Sequence, residues 1–240
     1  MTMNTQLLKD KLTIVIPCKN EGVNIYECLG FISKQRGIAG TRVIISDNSD
    51  NEESLRWIYQ TELDYKYSLK IEVIEGGFPA QARLNGSKLV TTPYMLFLDA
   101  DIFLTNPNTL VECTRYHKDL VTVPFYTDYP YRWVFRLFDI FQSISTLLKT
   151  PFAVGGFQLW KTQSYWLHGG YDPFELFAED YSLSQKVDPK EFRVHKIKGT
   201  YTSSRRFKNK GVLWMFKIMI KSFLNRNNPE FFKKSHGYWE

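Results

Sequence analysis

The sequence lacks the features that mark several broad classes of protein. Residues 1–11 contain no apolar segment of the kind found in secretory signals, and no run of about 20 apolar residues that could span a bilayer occurs. Only three cysteines are present, Cys18, Cys28 and Cys113, and their spacing is not that of a metal site. We therefore expect reduced thiols and a cytoplasmic protein.

Glycine-rich phosphate-binding loops are also missing. No G-x-G-x-x-G follows the first apolar run, and no G-x-x-x-x-G-K-[ST] occurs anywhere in the sequence. These absences exclude the dinucleotide-binding and P-loop versions of an α/β fold. A ligand that carries phosphates would need another device to hold it, such as a metal ion bound to carboxylates.

The sequence does contain an alternation of short apolar runs and amphipathic stretches. The apolar runs lie at residues 12–17, 42–46, 70–74 and 94–98, and helical periodicity fills the intervals between them. Strands that alternate with helices predict an α/β fold with a mostly parallel central sheet and helices on both faces. The second half is less regular. It includes a long apolar helix face from Val134 to Leu148 and an edge strand at Phe192, Val194 and Ile197.

Two aspartates, Asp99 and Asp101, follow directly after the apolar run that ends at Leu98. Buried carboxylates repel each other unless a proton or a cation neutralises one of them. A hard ion such as Mg²⁺ or Mn²⁺ does this, and such ions also bind the phosphates of a substrate. Aspartate is equally common in turns after strands, so these residues alone leave a metal site and a turn as equal alternatives.

The positive charge of the chain is concentrated in its C-terminal segment. Residues 203–240 contain nine Lys or Arg residues and two Glu residues, which gives +7, whereas the whole chain carries +6. Lys217 and Lys221 interrupt the apolar residues of this segment. Such a helix can lie on an anionic membrane surface, and this is the interpretation we favour. The alternative is a final helix that packs on the domain and exposes a basic face.

Six short motifs occur along the chain in a fixed order. They are Ile16-Pro17-Cys18-Lys19-Asn20-Glu21, Ser46-Asp47-Asn48-Ser49, Ala82-Arg83-Leu84-Asn85-Gly86, Phe97-Leu98-Asp99-Ala100-Asp101, Gly169-Gly170-Tyr171-Asp172 and Ala178-Glu179-Asp180-Tyr181. Together they resemble the family-two glycosyltransferases with the GT-A fold. The resemblance implies one domain over residues 12–206, with a nucleotide-sugar-binding half at 12–104 and an acceptor-binding half at 105–206. A basic amphipathic tail follows at 207–240.

The resemblance also implies a role for individual residues. Asp180 matches the general base, and Asp101 together with Asp99 matches the carboxylates that bind Mg²⁺ or Mn²⁺. The other donor-binding positions are Pro17, Lys19, Asn20 and Glu21 along the nucleoside, Asp47 at the base, Asp99 near the ribose, and Arg83, Arg205 and Arg206 near the diphosphate. Lys19 and the Ser46-Asp47-Asn48 segment depart from the commoner family pattern, which leaves the nucleotide base open.

Ordinary structural roles stay open for several of these residues. Asp47 and Asp180 each precede a predicted helix that they could cap. Arg83 could be a solvated charge on its helix, and Arg205 and Arg206 could begin a solvated basic tail.

The resemblance implies an inverting, metal-dependent glycosyltransferase. Its donor would be a nucleoside diphosphate sugar, and a UDP-sugar is the first candidate. The acceptor would be a hydroxyl of a glycan or of a lipid-linked molecule, with no role for nucleic acid. We expect a cytoplasmic enzyme, peripheral on the inner face of the plasma membrane.

Three other functions compete with this one. A sugar-1-phosphate nucleotidyltransferase needs a Gly-rich loop with Arg and Lys after the first strand, and residues 17–22 do not supply it. A module that binds membranes or nucleic acid through its basic tail would leave the aspartates at the strand ends unexplained. A catalytically silent homologue is the third alternative.

Overall fold

The computed structural model describes residues 7–65, 68–127 and 130–237. The strands in these ranges are β1 (Leu12–Cys18), β2 (Thr41–Asp47), β3 (Leu69–Glu75), β4 (Tyr94–Leu98), β5 (Ile102–Leu104), β6 (Leu120–Thr122), β7 (Phe157–Lys161), β8 (Phe192–Val194) and β9 (Thr200–Thr202). The helices are α1 (Val23–Ser33), α2 (Glu53–Tyr65), α3 (Pro79–Ser87), α4 (Thr109–Thr114), α5 (Arg132–Ser145), α6 (Thr162–Leu167), α7 (Glu179–Ser184), α8 (Arg205–Lys210), α9 (Val212–Leu224) and α10 (Pro229–Phe232), with a 3₁₀ turn at Pro189–Glu191.

Seven of these strands form the central sheet in the order β3-β2-β1-β4-β7-β6-β8. Strand β7 runs antiparallel to its neighbours β4 and β6, and the other pairs are parallel. The predicted α/β fold with a mostly parallel sheet is therefore confirmed. The edge strand predicted around Phe192 and Val194 is β8, which lies at one end of the sheet.

The central strands are mostly apolar because both faces of the sheet are covered. Alternate residues enter two different cores: Ile14 and Ile16 of β1 pack with α1, whereas Val15 packs with Phe97 and Tyr171 on the opposite face. This two-sided burial produces the continuous apolar runs seen in the sequence.

A second, two-stranded sheet lies beside the end of β4. In it, β5 pairs antiparallel with β9, with Ile102 opposite Thr202 and Leu104 opposite Thr200. The sequence pattern did not predict this ribbon, because each strand is only three residues long. The pairing brings residues just after 202 next to the Asp99–Asp101 loop.

The ends of the described chain pack on the domain. Leu8, which precedes the predicted domain start at residue 12, is fully buried. In the C-terminal segment, Met215 and Ile218 of α9 are buried, and the carbonyl oxygen of Phe232 accepts bonds from the N–H groups of Leu176 and Phe177. None of the helices in the described ranges has the length and apolarity needed to cross a membrane.

Helix α3 lies unusually close to the sheet at Gly86. A Cβ at this position would overlap Cγ1 of Val15 on β1. Arg83 lies three residues earlier on the same face of the helix, so the close approach also sets the position of the Arg83 side chain.

We therefore expect Gly86→Ala to lower the free energy of unfolding by about 1–3 kcal/mol through overpacking. This loss would exceed the gain of about 1 kcal/mol that alanine normally gives over glycine in a helix. The measurement is urea denaturation followed by circular dichroism. Gly30→Ala in α1 is the matched control, because its Cβ would meet Tyr65 at an ordinary 3.4 Å. Equal stability of the two variants would contradict the close packing of α3.

Candidate active site

A cavity of about 880 Å³ opens at the carboxyl ends of β1 and β4. Ligands of open α/β sheets bind at this edge. The predicted site residues that line it are Pro17, Lys19, Glu21, Arg83, Asp99, Asp101, Asp180 and Arg205. The structure thus brings together residues from both halves of the predicted domain.

Arg83 is buried at the centre of this cavity wall and joins two carboxylates. Its Nη1 donates to Oε1 of Glu179 at 2.6 Å, and its Nη2 donates to Oδ1 of Asp99 at 2.6 Å. The guanidinium also lies 5.5 Å from the ring centroid of Tyr171. Burial disfavours the charge, but Asp99 and Glu179 outweigh it and raise the pKa of Arg83 above its usual value. Arg83 is therefore not a solvated surface charge.

Asp180 is half-buried next to this ion pair and is held by two backbone donors. Its Oδ2 accepts the N–H of Gly155 at 2.7 Å, and its Oδ1 accepts the N–H of Tyr181 at 2.8 Å. Burial, together with the neighbouring charge of Glu179, raises the pKa of Asp180 to about 6. The carboxylate is therefore ionised at neutral pH and suited to accept a proton.

Gly155 is a site residue that the sequence reasoning missed. A Cβ there would lie 3.0 Å from Nη2 of Arg83 and 3.3 Å from Cβ of Asp180, so only glycine leaves room for both side chains. The Gly155-Gly156 pair ahead of β7 was its only signal in the sequence.

Glu21, Asp101 and Arg205 form a second charged group in the cavity wall. Nη2 of Arg205 lies 3.0 Å from Oε1 of Glu21 and 3.7 Å from Oδ2 of Asp101. The β5–β9 ribbon produces this contact, because Arg205 follows β9 and Asp101 precedes β5. Arg206 also lies in α8, but its side chain is outside the described residues.

The carboxylates of the cavity fit a metal ion that is bound partly by the protein and partly by the phosphates of a substrate. In the described ranges, no group of three or more His, Cys, Asp or Glu side chains could hold a metal ion. Asp99 and Asp101 instead offer the one or two carboxylates that Mg²⁺ and Mn²⁺ use together with substrate phosphates. The backbone also turns here, with the N–H of Ile102 bonded to the carbonyl of Asp99, so the turn and the carboxylate pair are compatible.

Two predicted donor residues, Asn20 and Asp47, do not line the cavity. The side chain of Asn20 exchanges two hydrogen bonds with Asp50, at 2.7 Å and 2.8 Å, and so ties the loop after β1 to the loop after β2. Oδ1 of Asp47 accepts a bond from the Ser49 hydroxyl. Asp47 does not cap α2, where the Asn51 side chain accepts the N–H of Glu53. Nucleoside binding by Asn20 and Asp47 stays a prediction.

Known proteins with similar sequences were found in two comparisons. A family model described as glycosyl transferase family 2 matches residues 13–168. The teichoic acid poly(glycerol phosphate) polymerase of Staphylococcus epidermidis is 33% identical over 93 residues, which are 38% of this chain and 13% of that protein.

Solved structures share the fold. Residues 1–349 of S. aureus TarS, in complex with UDP-GlcNAc, give a TM-score of 0.62 at 20% identity, over 81% of this chain and 59% of that one. The mannosyltransferase PcManGT of Pyrobaculum calidifontis, with GDP-Man and Mn²⁺, gives 0.67 at 16% identity, over 88% and 64%. This chain therefore spans less than two thirds of either structure.

These similarities confirm the GT-A fold that the motifs implied. The family model covers well over half of the sequence and includes Arg83, Asp99 and Asp101. Asp180 and Arg205 lie beyond it but line the same cavity. The chain belongs to glycosyl transferase family 2.

Proposed function

We propose that the protein is an inverting, metal-dependent glycosyltransferase that moves a sugar from a nucleoside diphosphate sugar to an acceptor hydroxyl. The observation that carries this proposal is the half-buried carboxylate of Asp180, which shares one cavity with Asp99 and Asp101. A base for the acceptor and a charged site for the leaving diphosphate are the two requirements of such a transfer.

The donor is a nucleoside diphosphate sugar, with a UDP-sugar as the first candidate. Support comes from TarS in complex with UDP-GlcNAc, from PcManGT with GDP-Man and Mn²⁺, and from the Mycobacterium tuberculosis glucosyl-3-phosphoglycerate synthase with Mn²⁺ and UDP, which gives a TM-score of 0.57 at 14% identity. Asp99 and Asp101 would hold Mg²⁺ or Mn²⁺. Such an ion, when bound, neutralises charge on a diphosphate leaving group.

The remaining donor-side chemistry comes from the arginines of the cavity. Arg83 fixes one oxygen of Asp99, so that this carboxylate keeps its orientation. Arg205, about half exposed, supplies a further cation near Asp101 for the charge that develops on the diphosphate.

Asp180 takes the proton of the acceptor hydroxyl while the hydroxyl oxygen bonds to the anomeric carbon, and the bond between that carbon and the diphosphate breaks. The N–H groups of Gly155 and Tyr181 keep both carboxylate oxygens in place. A single base and attack from the side opposite the diphosphate invert the configuration at the anomeric carbon.

We place the enzyme in the cytoplasm, at the inner face of the plasma membrane, with a glycan or a lipid-linked molecule as acceptor. Support comes from α9, which exposes Leu213 and Leu224 together with Lys217 and Lys221. Mixed leucine and lysine faces of this kind are typical of helices that lie in an anionic membrane surface.

Nucleotide binding is tested by thermal unfolding with UDP, GDP or dTDP, each with and without Mn²⁺. One nucleotide is expected to stabilise the wild type only when Mn²⁺ is present, by about 2.7 kcal/mol at 100 times its dissociation constant. Asp101→Asn removes a ligand charge and should lose this stabilisation. Asp10→Asn, an exposed residue outside the cavity, should keep it. No stabilisation by any nucleotide would refute the donor site.

The role of Asp180 predicts a definite pH dependence of kcat. The base works only when ionised, so kcat should rise from pH 5 to pH 7 with an apparent pKa near 6 and then level off. Asp180→Asn should lower kcat by about 10²-fold or more while nucleotide binding persists.

The profile is measured at saturating Mn²⁺ with Glu175→Gln as a control. Burial raises the pKa of Glu175 to about 7, in the same range, but this residue does not line the cavity. The Glu175→Gln variant should therefore show the same dependence of kcat on pH as the wild type. A profile that disappears in this variant, or an Asp180→Asn enzyme with full kcat, would remove Asp180 as the base.

A further inference from the structure

The cavity that holds Asp180 and Asp101 continues into an apolar groove between α5 and α9. The groove residues that remain partly exposed are Phe141, Ile144 and Leu148 on the α5 side and Ile220 and Phe223 on α9. Ile220 is 59% exposed and Leu148 is 57% exposed, although both line the cavity. Water-exposed apolar side chains that line a pocket are characteristic of ligand-binding grooves.

Two serine hydroxyl groups in this part of the cavity already have hydrogen-bond partners within the protein. The Ser145 hydroxyl donates to the carbonyl of Gln142, and the Ser222 hydroxyl donates to the carbonyl of Ile218. Both serines therefore satisfy the backbone of their own helix, and the wall that they belong to is effectively apolar.

Gln142 is the exception among the polar residues of this wall. It is 1% exposed, lines the cavity, and its Nε2 has no hydrogen-bond partner among the described residues. A buried donor without a partner is unfavourable by about 1–3 kcal/mol, and a hydrogen bond from Nε2 to a ligand oxygen would remove this cost.

The charge around the groove identifies the kind of ligand. Residues 205–224 carry six Lys or Arg residues and no Asp or Glu. Lys149, Lys217 and Lys221 are exposed on the helices and turn that border the groove. An apolar channel bordered by lysines complements a molecule with a hydrocarbon chain and an anionic headgroup.

We infer that this groove binds the hydrocarbon chain of the acceptor, and that the acceptor is an anionic membrane lipid whose polar end reaches Asp180. The inference rests on the proposed function and narrows its acceptor from a glycan or a lipid-linked molecule to a lipid. The chain lies between α5 and α9, Gln142 donates to an oxygen of the headgroup, and the lysines contact its negative charge.

The test uses the full chain and dodecyl phosphate that carries a photoactivatable diazirine in its alkyl chain, below its micelle concentration. After irradiation, mass spectrometry should find the label on residues 138–148 of the α5 side and 215–223 of α9. Inorganic phosphate in excess should not prevent labelling, since the alkyl chain provides most of the affinity. Labels spread over the whole surface, or competition by phosphate alone, would overturn the inference.

Calorimetry with unmodified dodecyl phosphate provides a matched pair of variants. Ile220→Gln, in the groove, should weaken binding by about tenfold, whereas Leu213→Gln, two turns earlier on the same helix and outside the groove, should change it less than about twofold. Leu213 is 87% exposed and does not line the cavity. Equal weakening by both variants would indicate adsorption on α9 outside the groove and would overturn the groove.

The nucleotide experiment separates failure of this inference from failure of the proposed function. Stabilisation by a nucleotide with Mn²⁺, combined with no labelling of the groove, removes only the lipid acceptor. Labelling of the groove without any nucleotide effect removes the transferase and leaves a lipid-binding protein. The remaining alternative is that a second copy of the chain occupies the groove, and analytical ultracentrifugation tests it. If the wild type is a dimer and the Ile220→Gln variant is a monomer, the groove is a dimer interface and the inference is overturned.

Discussion

A buried arginine holds carboxylates from two distant parts of the chain at one point. Arg83 contacts Asp99 at the end of β4 and Glu179 at the start of α7. Removal of one member of a buried ion pair commonly destabilises a protein by about 3–5 kcal/mol, because the partner charge stays buried and unpaired. Gly86 lets α3 approach the sheet, and Gly155 leaves room for the guanidinium, so both glycines serve this arrangement. The geometry of the whole cavity depends on it.

The two carboxylates that Arg83 binds lie next to different groups of charged residues. Asp99 lies with Asp101 and Arg205, the proposed site for a metal ion and a diphosphate, whereas Glu179 is followed directly by Asp180, the proposed base. Glu179 also helps to raise the pKa of Asp180. One guanidinium therefore fixes the spacing between the proposed donor side and the proposed acceptor side, and it compensates the charge of Glu179, which raises the pKa of Asp180.

Much of the sheet and part of the site could be predicted from the sequence, and the reasons are physical. Strands covered on both faces leave continuous apolar runs, and Asp99 and Asp101 stand out at the end of one. The motifs of the family pointed to Arg83 and Asp180. The burial of Arg83 could not be predicted, because an arginine on a helix gives no sign of which partners surround it. The β5–β9 ribbon escaped prediction as well, since three-residue strands depend on pairing across about 100 residues rather than on local pattern. The apolar face of α5 was visible, but its opening into the cavity depends on where α9 packs.

The β5–β9 pairing has a consequence for how the protein is made. While the chain is being synthesised, β5 leaves the ribosome long before β9, and it has no strand partner until Thr202 has emerged. Arg205 follows only after that, so β4 can join the sheet, with Asp99 and Asp101 in the turn after it, well before the cation beside them has been synthesised. The carbonyl of Phe232, which binds the N–H groups of Leu176 and Phe177 ahead of α7, emerges later still. The nascent chain therefore holds a nearly complete sheet for many residues of synthesis before all the residues that line its cavity have emerged.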